Sequence, residues 1–119
     1  MALHYKLLKE SHYKTTKWDG GSTTELAIYP HFSSYQARNF AWRLSSAKVQ
    51  QNETVFTHLP GYKRVLMVLE GALVLAHERQ HIANLAAYGK DRFDGGWTTH
   101  CIGVGRDFNL MLGEGCDGD

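Results

Sequence analysis

Cysteine and proline are scarce in this chain, each occurring twice among 119 residues. With only Cys101 and Cys116 and no Cys-x-x-Cys spacing, neither a disulfide framework nor a zinc ribbon is indicated, and both side chains are expected as free thiols. Charge of one sign is missing too: 13 lysines and arginines face 12 aspartates and glutamates, a net charge of +1. No basic block is present to neutralise a run of phosphates, so nucleic acid is not the expected partner. Long apolar runs are absent as well. Val65 to Leu69 is cut off by Glu70-Gly71 from Ala72 to Ala76, too short and too interrupted to cross a bilayer, so a soluble protein with no membrane partner is expected. The N-terminal stretch from Met1 to Glu10 is charged from Lys6 onward and lacks the apolar core of a signal peptide, which points to the cytoplasm. Helical periodicity is the last absence: few windows keep apolar residues at i, i+3, i+4 and i+7 without an intervening glycine, proline or β-branched cluster.

What is present is a chain of 43% apolar, 21% charged and 12% aromatic residues, the make-up of one globular domain over residues 1–119. Its patterning is that of β-structure. Thr24 to Tyr29 alternates, with Thr24, Leu26 and Ile28 expected on one face and Glu25, Ala27 and Tyr29 on the other, before Pro30 ends the strand. Phe40 to Ser45 alternates likewise: Phe40, Trp42 and Leu44 share a large apolar face, while Ala41, Arg43 and Ser45 make a small and polar one suited to lining a cavity. Val65 to Leu69 and Ala72 to Ala76, flanking Glu70-Gly71, carry the signal of a hairpin whose strands are buried on both faces. Further strands are expected over Trp97 to Ile102 and Phe108 to Leu112, separated by Gly103-Val104-Gly105 and preceded by the turn-rich Asp94-Gly95-Gly96. Twelve glycines and short, regularly spaced strands fit an all-β barrel or jelly roll better than an α/β sheet, whose crossovers need helices.

Seven histidines raise the question of a metal. His77 and His81 alone have a spacing at which ligands pair, and i, i+4 residues share a face in a helix, whereas His77 ends a strand. Surface histidines are therefore expected, and no metal site. The segment Trp18-Asp19-Gly20-Gly21-Ser22-Thr23-Thr24-Glu25 lacks the lysine and following helix of a phosphate-binding loop and is expected to turn into a strand. Ser45 and Ser46 have no nucleophile elbow and no base placed by local pattern, so no catalytic residue is assigned to them. Asp107 and Asn109 share a face with Met111 and are expected to cap a loop and pair in the sheet. Trp18, Trp42 and Trp97 are expected in the core. Arg43 stands out, because a cation among the small residues of a cavity face needs a carboxylate partner or a bound anion. Two roles stay open for it, an internal pair with Glu25 and a ligand contact.

The stretch Thr57-His58-Leu59-Pro60-Gly61-Tyr62-Lys63-Arg64, continued to Gly71, resembles the first motif of the cupins. Metal-binding cupins present there two histidines one residue apart, a glutamate and a glycine at the next turn. Here His58 matches the first histidine, Pro60 falls on the second, Arg64 on the glutamate and Gly71 on the closing glycine. Proline does not coordinate and a guanidinium has no lone pair to offer, so no metal or other cofactor is expected and an anion suits the site instead. Arg64 is then either a ligand residue or a rim residue with a solvated head.

Taken in order, Trp18 with Gly20-Gly21-x-Thr23-Thr24-Glu25 and Pro30, Phe40-x-Trp42-Arg43-x-Ser45-x-Ala47-x-Val49, Phe56-x-x-x-Pro60-Gly61-x-x-Arg64 with Gly71, Phe93-Asp94-Gly95-x-Trp97, and Asp107-Phe108-Asn109-Leu110-Met111 resemble the HutD/Ves family of bacterial proteins. One branch of that family is associated with histidine utilisation. The resemblance implies an RmlC-like, cupin-like jelly-roll β-barrel, no established catalytic activity and a moderating or sensing role. It also implies a pocket lined by Arg43, Ser45 and Arg64 with Glu25 and Thr24 nearby, and His58 completes the candidate ligand-binding set. The expected ligand is a small carboxylate-bearing metabolite. Family members usually continue past the Asp107–Met111 segment into a second β-rich half, so the single domain is expected to lack the family's usual C-terminal portion. Edges left unpaired by that loss favour a homodimer. Two other readings compete: a metal-independent cupin enzyme of isomerase or lyase type, with Glu25 or His58 transferring a proton, and a structural interaction module with ion-paired arginines.

Overall fold

The computed structural model describes residues 6–7, 14–18 and 20–113. It holds strands β1 (Lys6–Leu7), β2 (Lys14–Trp18), β3 (Gly21–Tyr29), β4 (Trp42–Val49), β5 (Glu53–Val55), β6 (Lys63–Gly71), β7 (Leu73–His77), β8 (Ile82–Leu85), β9 (Lys90–Asp94), β10 (Thr99–Ile102) and β11 (Gly105–Leu112), and no helix among the described residues. Among the described residues, therefore, no helix is long and apolar enough to cross a membrane. The expectations for Asp19, Cys116 and the C-terminal tail lie outside the described residues.

Two antiparallel sheets pack face to face as an RmlC-like jelly roll, and no ladder closes them into one barrel. The larger runs β1-β3-β4-β11-β6-β9, with β2 sharing the outer edge of β3. The smaller runs β5-β10-β7-β8. The main apolar core joins them: Val49, Leu66, Val68 and Phe93 from the larger sheet meet Leu73, Leu75, Leu85 and Cys101 from the smaller. A second cluster of Ile28, Phe40, Leu59, Tyr62 and Met111 lies at one end of the larger sheet. There Tyr62 stacks on Phe40 at 4.5 Å and donates its hydroxyl to the carbonyl of Phe40 at 2.9 Å, which pins the loop entering β4.

The structure corrects two expectations. The strands flanking Glu70-Gly71 do not pair as a hairpin: β6 is bonded to β11 and β9, and β7 to β10 and β8. With both edges of β6 taken, the chain crosses from one sheet to the other at Gly71, whose φ of 81° suits glycine. A Cβ there would meet the Val104 carbonyl oxygen at 2.5 Å. In β3 the alternation does not run unbroken. A bulge between Glu25 and Ala27 shifts the register against β4, so Glu25 and Ile28 are both buried while Leu26 is half-exposed. An extra residue inverts which parity faces inward.

Candidate functional site

The inner face of the larger sheet is polar where a core would be apolar. On β4, Arg43, Ser45, Ala47 and Val49 all point inward, the small and polar face legible in the alternation. Register then sets their neighbours. Met111 of β11 pairs with Arg43 on one side and Arg64 of β6 on the other, so the two arginines stand in one row two strands apart. Glu25, Ser45 and Asn109 form the next row, and Thr23, Ala47 and Asp107 the one after.

These rows floor a cavity of about 340 Å³, which Tyr35 and Ser33 from the loop before β4 and Phe56 from the chain after β5 enclose. Its lining takes Val49 and Phe56 from the main core and Met111 and Tyr35 from the second cluster. Glu25, Arg43, Ser45 and Arg64 are thus brought together. Thr24 and His58 are not. Thr24 faces outward, because its neighbours Thr23 and Glu25 face in, and its hydroxyl bonds that of Thr15 at 2.9 Å. His58 is exposed beyond the cavity's edge and hydrogen-bonds Thr98 Oγ1 at 2.9 Å.

The arginines differ in their company. Arg43 Nε donates to Glu25 Oε1 at 3.0 Å in a buried pair, and its guanidinium lies over the Tyr35 ring at 4.2 Å. Arg64, only 5% exposed, is no rim residue. Its head rests against Phe56 at 4.9 Å and Phe93 at 5.2 Å, and its Nε reaches Asn109 Oδ1 at 3.5 Å. Among the described residues no carboxylate forms an ion pair with it. Burial lowers its pKa to about 10, an effect that Tyr35 and Asp107 partly oppose and Arg43 reinforces.

Asp107 is the group that sequence reasoning misplaced. It sits 1% exposed on the cavity floor, where burial raises its pKa to about 7 against the opposing pull of Arg64 and of the Ala47 backbone hydrogen bond. Its Oδ1 has no hydrogen-bond partner among the described residues. The expectation that Asp107 shares a face with Asn109 and Met111 and pairs in the sheet agrees with the register of β11; what fails is the loop cap, because that face is turned into the cavity. Behind the cavity, Cys101 is a buried free thiol, pushed up to about 11 chiefly by burial and next by Asp107, which keeps it unreactive.

Neither Pro60 nor Arg64 offers a donor to a cation, so the residues at the first cupin motif do not fit a metal. Outside the cavity, His77, His81 and Asp91 do converge. This corrects the expectation of surface histidines at His77 alone, since His31, His58 and His81 are exposed: residues four apart also meet across a tight turn, and here the β7–β8 turn sets the His77 amide on the His81 carbonyl at 3.1 Å. His77 is 3% exposed.

Comparison with known proteins agrees with this architecture. No curated protein matches the chain. Among solved structures, the conserved protein of unknown function PA5104 from Pseudomonas aeruginosa PAO1 is 31% identical with a TM-score of 0.78, covering 92% of this chain and 58% of its own. HutD from Pseudomonas fluorescens SBW25 is 28% identical with a TM-score of 0.76, covering 92% and 61%. The chain thus spans about three-fifths of the length of these two structures. An RmlC-like cupin from Shewanella frigidimarina NCIMB 400, 12% identical with a TM-score of 0.68 over 95% of this chain and 96% of that one, shares the fold. The HutD family model matches residues 10–117, and with the cupin sheets and the two structural relatives this shows that the chain belongs to the HutD family.

Proposed function

We propose that this cupin binds a small carboxylate-bearing metabolite in its cavity without transforming it, as a cytoplasmic moderator or sensor in histidine utilisation or a related stress response. The observation that carries the reading is Arg64, a buried guanidinium with no carboxylate paired to it among the described residues. A buried cation without a counter-ion is costly, and a bound carboxylate supplies one through a charge-assisted, bidentate contact. Arg43 already has Glu25, so it orders the wall while Arg64 takes the anion. Ser45 and Asn109 flank that position and supply neutral hydrogen-bonding groups.

A second reading, a metal-independent proton-transfer enzyme, is favoured by one observation: Asp107 has a carboxyl tuned to about 7 inside the cavity, where a general acid or base works near neutral pH. Glu25 is committed to Arg43 and His58 lies outside, so Asp107 would act without either.

Thermal-shift measurements with histidine, urocanate, glutamate and formylglutamate test the binding. A selective ligand at about 100 times its Kd adds about 2.7 kcal/mol of apparent stability. The expected result is a rise in Tm with at least one carboxylate, lost in Arg64→Ala while far-ultraviolet circular dichroism is retained. Unchanged affinity in Arg64→Ala, or turnover of a bound carboxylate that Asp107→Asn abolishes, would overturn the proposal.

A further inference from the structure

His77, His81 and Asp91 lie where an edge of the smaller sheet meets an edge of the larger, away from the cavity. We propose that they form a binding site for a late first-row divalent cation of the zinc class. His77 and His81 come from the end of β7 and the turn into β8, and Asp91 from β9. A bound ion would therefore clasp the two sheets together.

The donor geometry supports this. Both imidazoles aim Nε2 at one carboxylate, His77 at Oδ2 (2.6 Å) and His81 at Oδ1 (2.8 Å), and the three ligand atoms lie within 4.8 Å of one another. Zinc–nitrogen and zinc–oxygen bonds of about 2.0–2.1 Å place tetrahedral donors roughly 3.3 Å apart, so an entering ion needs the hydrogen-bonded atoms to part by less than about 1 Å and the most distant donors to close by at most about 1.5 Å. Two imidazoles and a carboxylate are the donors preferred by zinc and its neighbours over calcium or magnesium.

The surroundings match those of a built site. His77 Nδ1 is hydrogen-bonded to Thr99 Oγ1 at 2.7 Å, the outer-shell partner that fixes ring orientation in metal-binding histidines. In the hydrogen-bonded arrangement each Nε2 carries the proton donated to Asp91. Coordination asks only that each imidazole move its proton from Nε2 to Nδ1, where that of His77 is donated to Thr99. Phe93 at 4.6 Å and Trp97 at 5.6 Å pack on the His77 ring and keep one side dry. The His81 side chain is 46% exposed, which gives an ion an entry path and leaves a coordination position for water. The single carboxylate gives the site one negative charge, so it attracts a divalent ion without the repulsion of an acidic cluster.

The test uses the tag-free chain, stripped with EDTA and dialysed, then titrated with Co²⁺ and Zn²⁺. One equivalent of Co²⁺ is expected to give visible absorption of a four-coordinate ion that Zn²⁺ displaces, and Zn²⁺ is expected to raise Tm. His81→Ala and Asp91→Asn should each weaken binding by roughly tenfold or more. His100→Ala, which removes the histidine paired with Glu78 on the surface, should leave binding unchanged. His81→Gln serves as a second variant if the alanine variant is unstable. Absence of stoichiometric uptake by the wild-type chain, or uptake that survives both His81 and Asp91 substitutions, would overturn the proposal. Neither outcome bears on Arg64, so the two sites stand or fall separately.

Discussion

Replacing Asp107 with asparagine should flatten the dependence of stability on pH. The carboxyl holds its proton up to about pH 7 in the folded chain, against an ordinary value of 3.8. Between these limits the folded state binds a proton that the unfolded state has released, so stability falls as pH rises. Each pH unit costs up to about 1.4 kcal/mol, and with the curve rounding off near pH 7 the loss from pH 5 to pH 7 is about 2 kcal/mol. Asparagine has nearly the same shape, fits the same space and does not titrate. Urea unfolding of the wild-type chain and Asp107→Asn, run at half-unit steps from pH 5 to pH 8, isolates the contribution because the two chains share every other side chain. The wild-type curve should descend relative to the variant by about 2 kcal/mol up to pH 7 and then run parallel to it. Parallel curves throughout would mean that the carboxyl is already ionised at pH 5, and that the floor of the cavity carries a full negative charge beside Arg64.

Two substitutions probe the frame. Arg43→Ala leaves Glu25 buried without its partner and should cost about 3–5 kcal/mol in urea unfolding, whereas pairing Arg43→Met with Glu25→Gln should recover most of that loss. Gly71→Ala places a Cβ against the Val104 carbonyl oxygen at a φ of 81°; it should lower the urea midpoint by more than about 1 kcal/mol equivalent, with the m-value unchanged because the same surface is exposed on unfolding.

Much of the fold was legible because β-structure writes its two faces with a period of two. Arg43, Ser45 and Ala47 announced a cavity wall by being small or polar opposite the large Trp42 and Leu44, and the strand keeps that alternation to Val49. The β3 wall was harder, since a bulge at Leu26 leaves no mark in a sequence where Ala27 and Ile28 are both apolar. The hairpin at Glu70-Gly71 misled for a different reason. A glycine turn between apolar runs specifies that the chain reverses, but not that the two strands bond to each other. The competing ladders come from β9, β10 and β11, far along the chain, and long-range pairing of this kind has no local signature.

The site shows the same division between what a residue is and whom it meets. Arg64 was identifiable because its position in a cupin motif made a guanidinium chemically incongruous there. Asp107 looked like a loop cap because the strand was expected from Phe108, yet it begins at Gly105, and a shift of three residues turns a solvated cap into a buried acid. For His77 and His81 the spacing was visible and the inference from it too narrow, since four residues span one turn of a helix but also the mouth of a tight β-turn. The third member, Asp91, joins them only because β9 borders the larger sheet beside β8, a fact of topology. In both clusters the ionisable group that gives a residue its chemistry was written locally, while its burial and its partners were decided by strands distant in sequence. Composition and spacing therefore nominate ionisable groups, and the sheet order decides which of them are left without a counter-ion and so have reason to bind one.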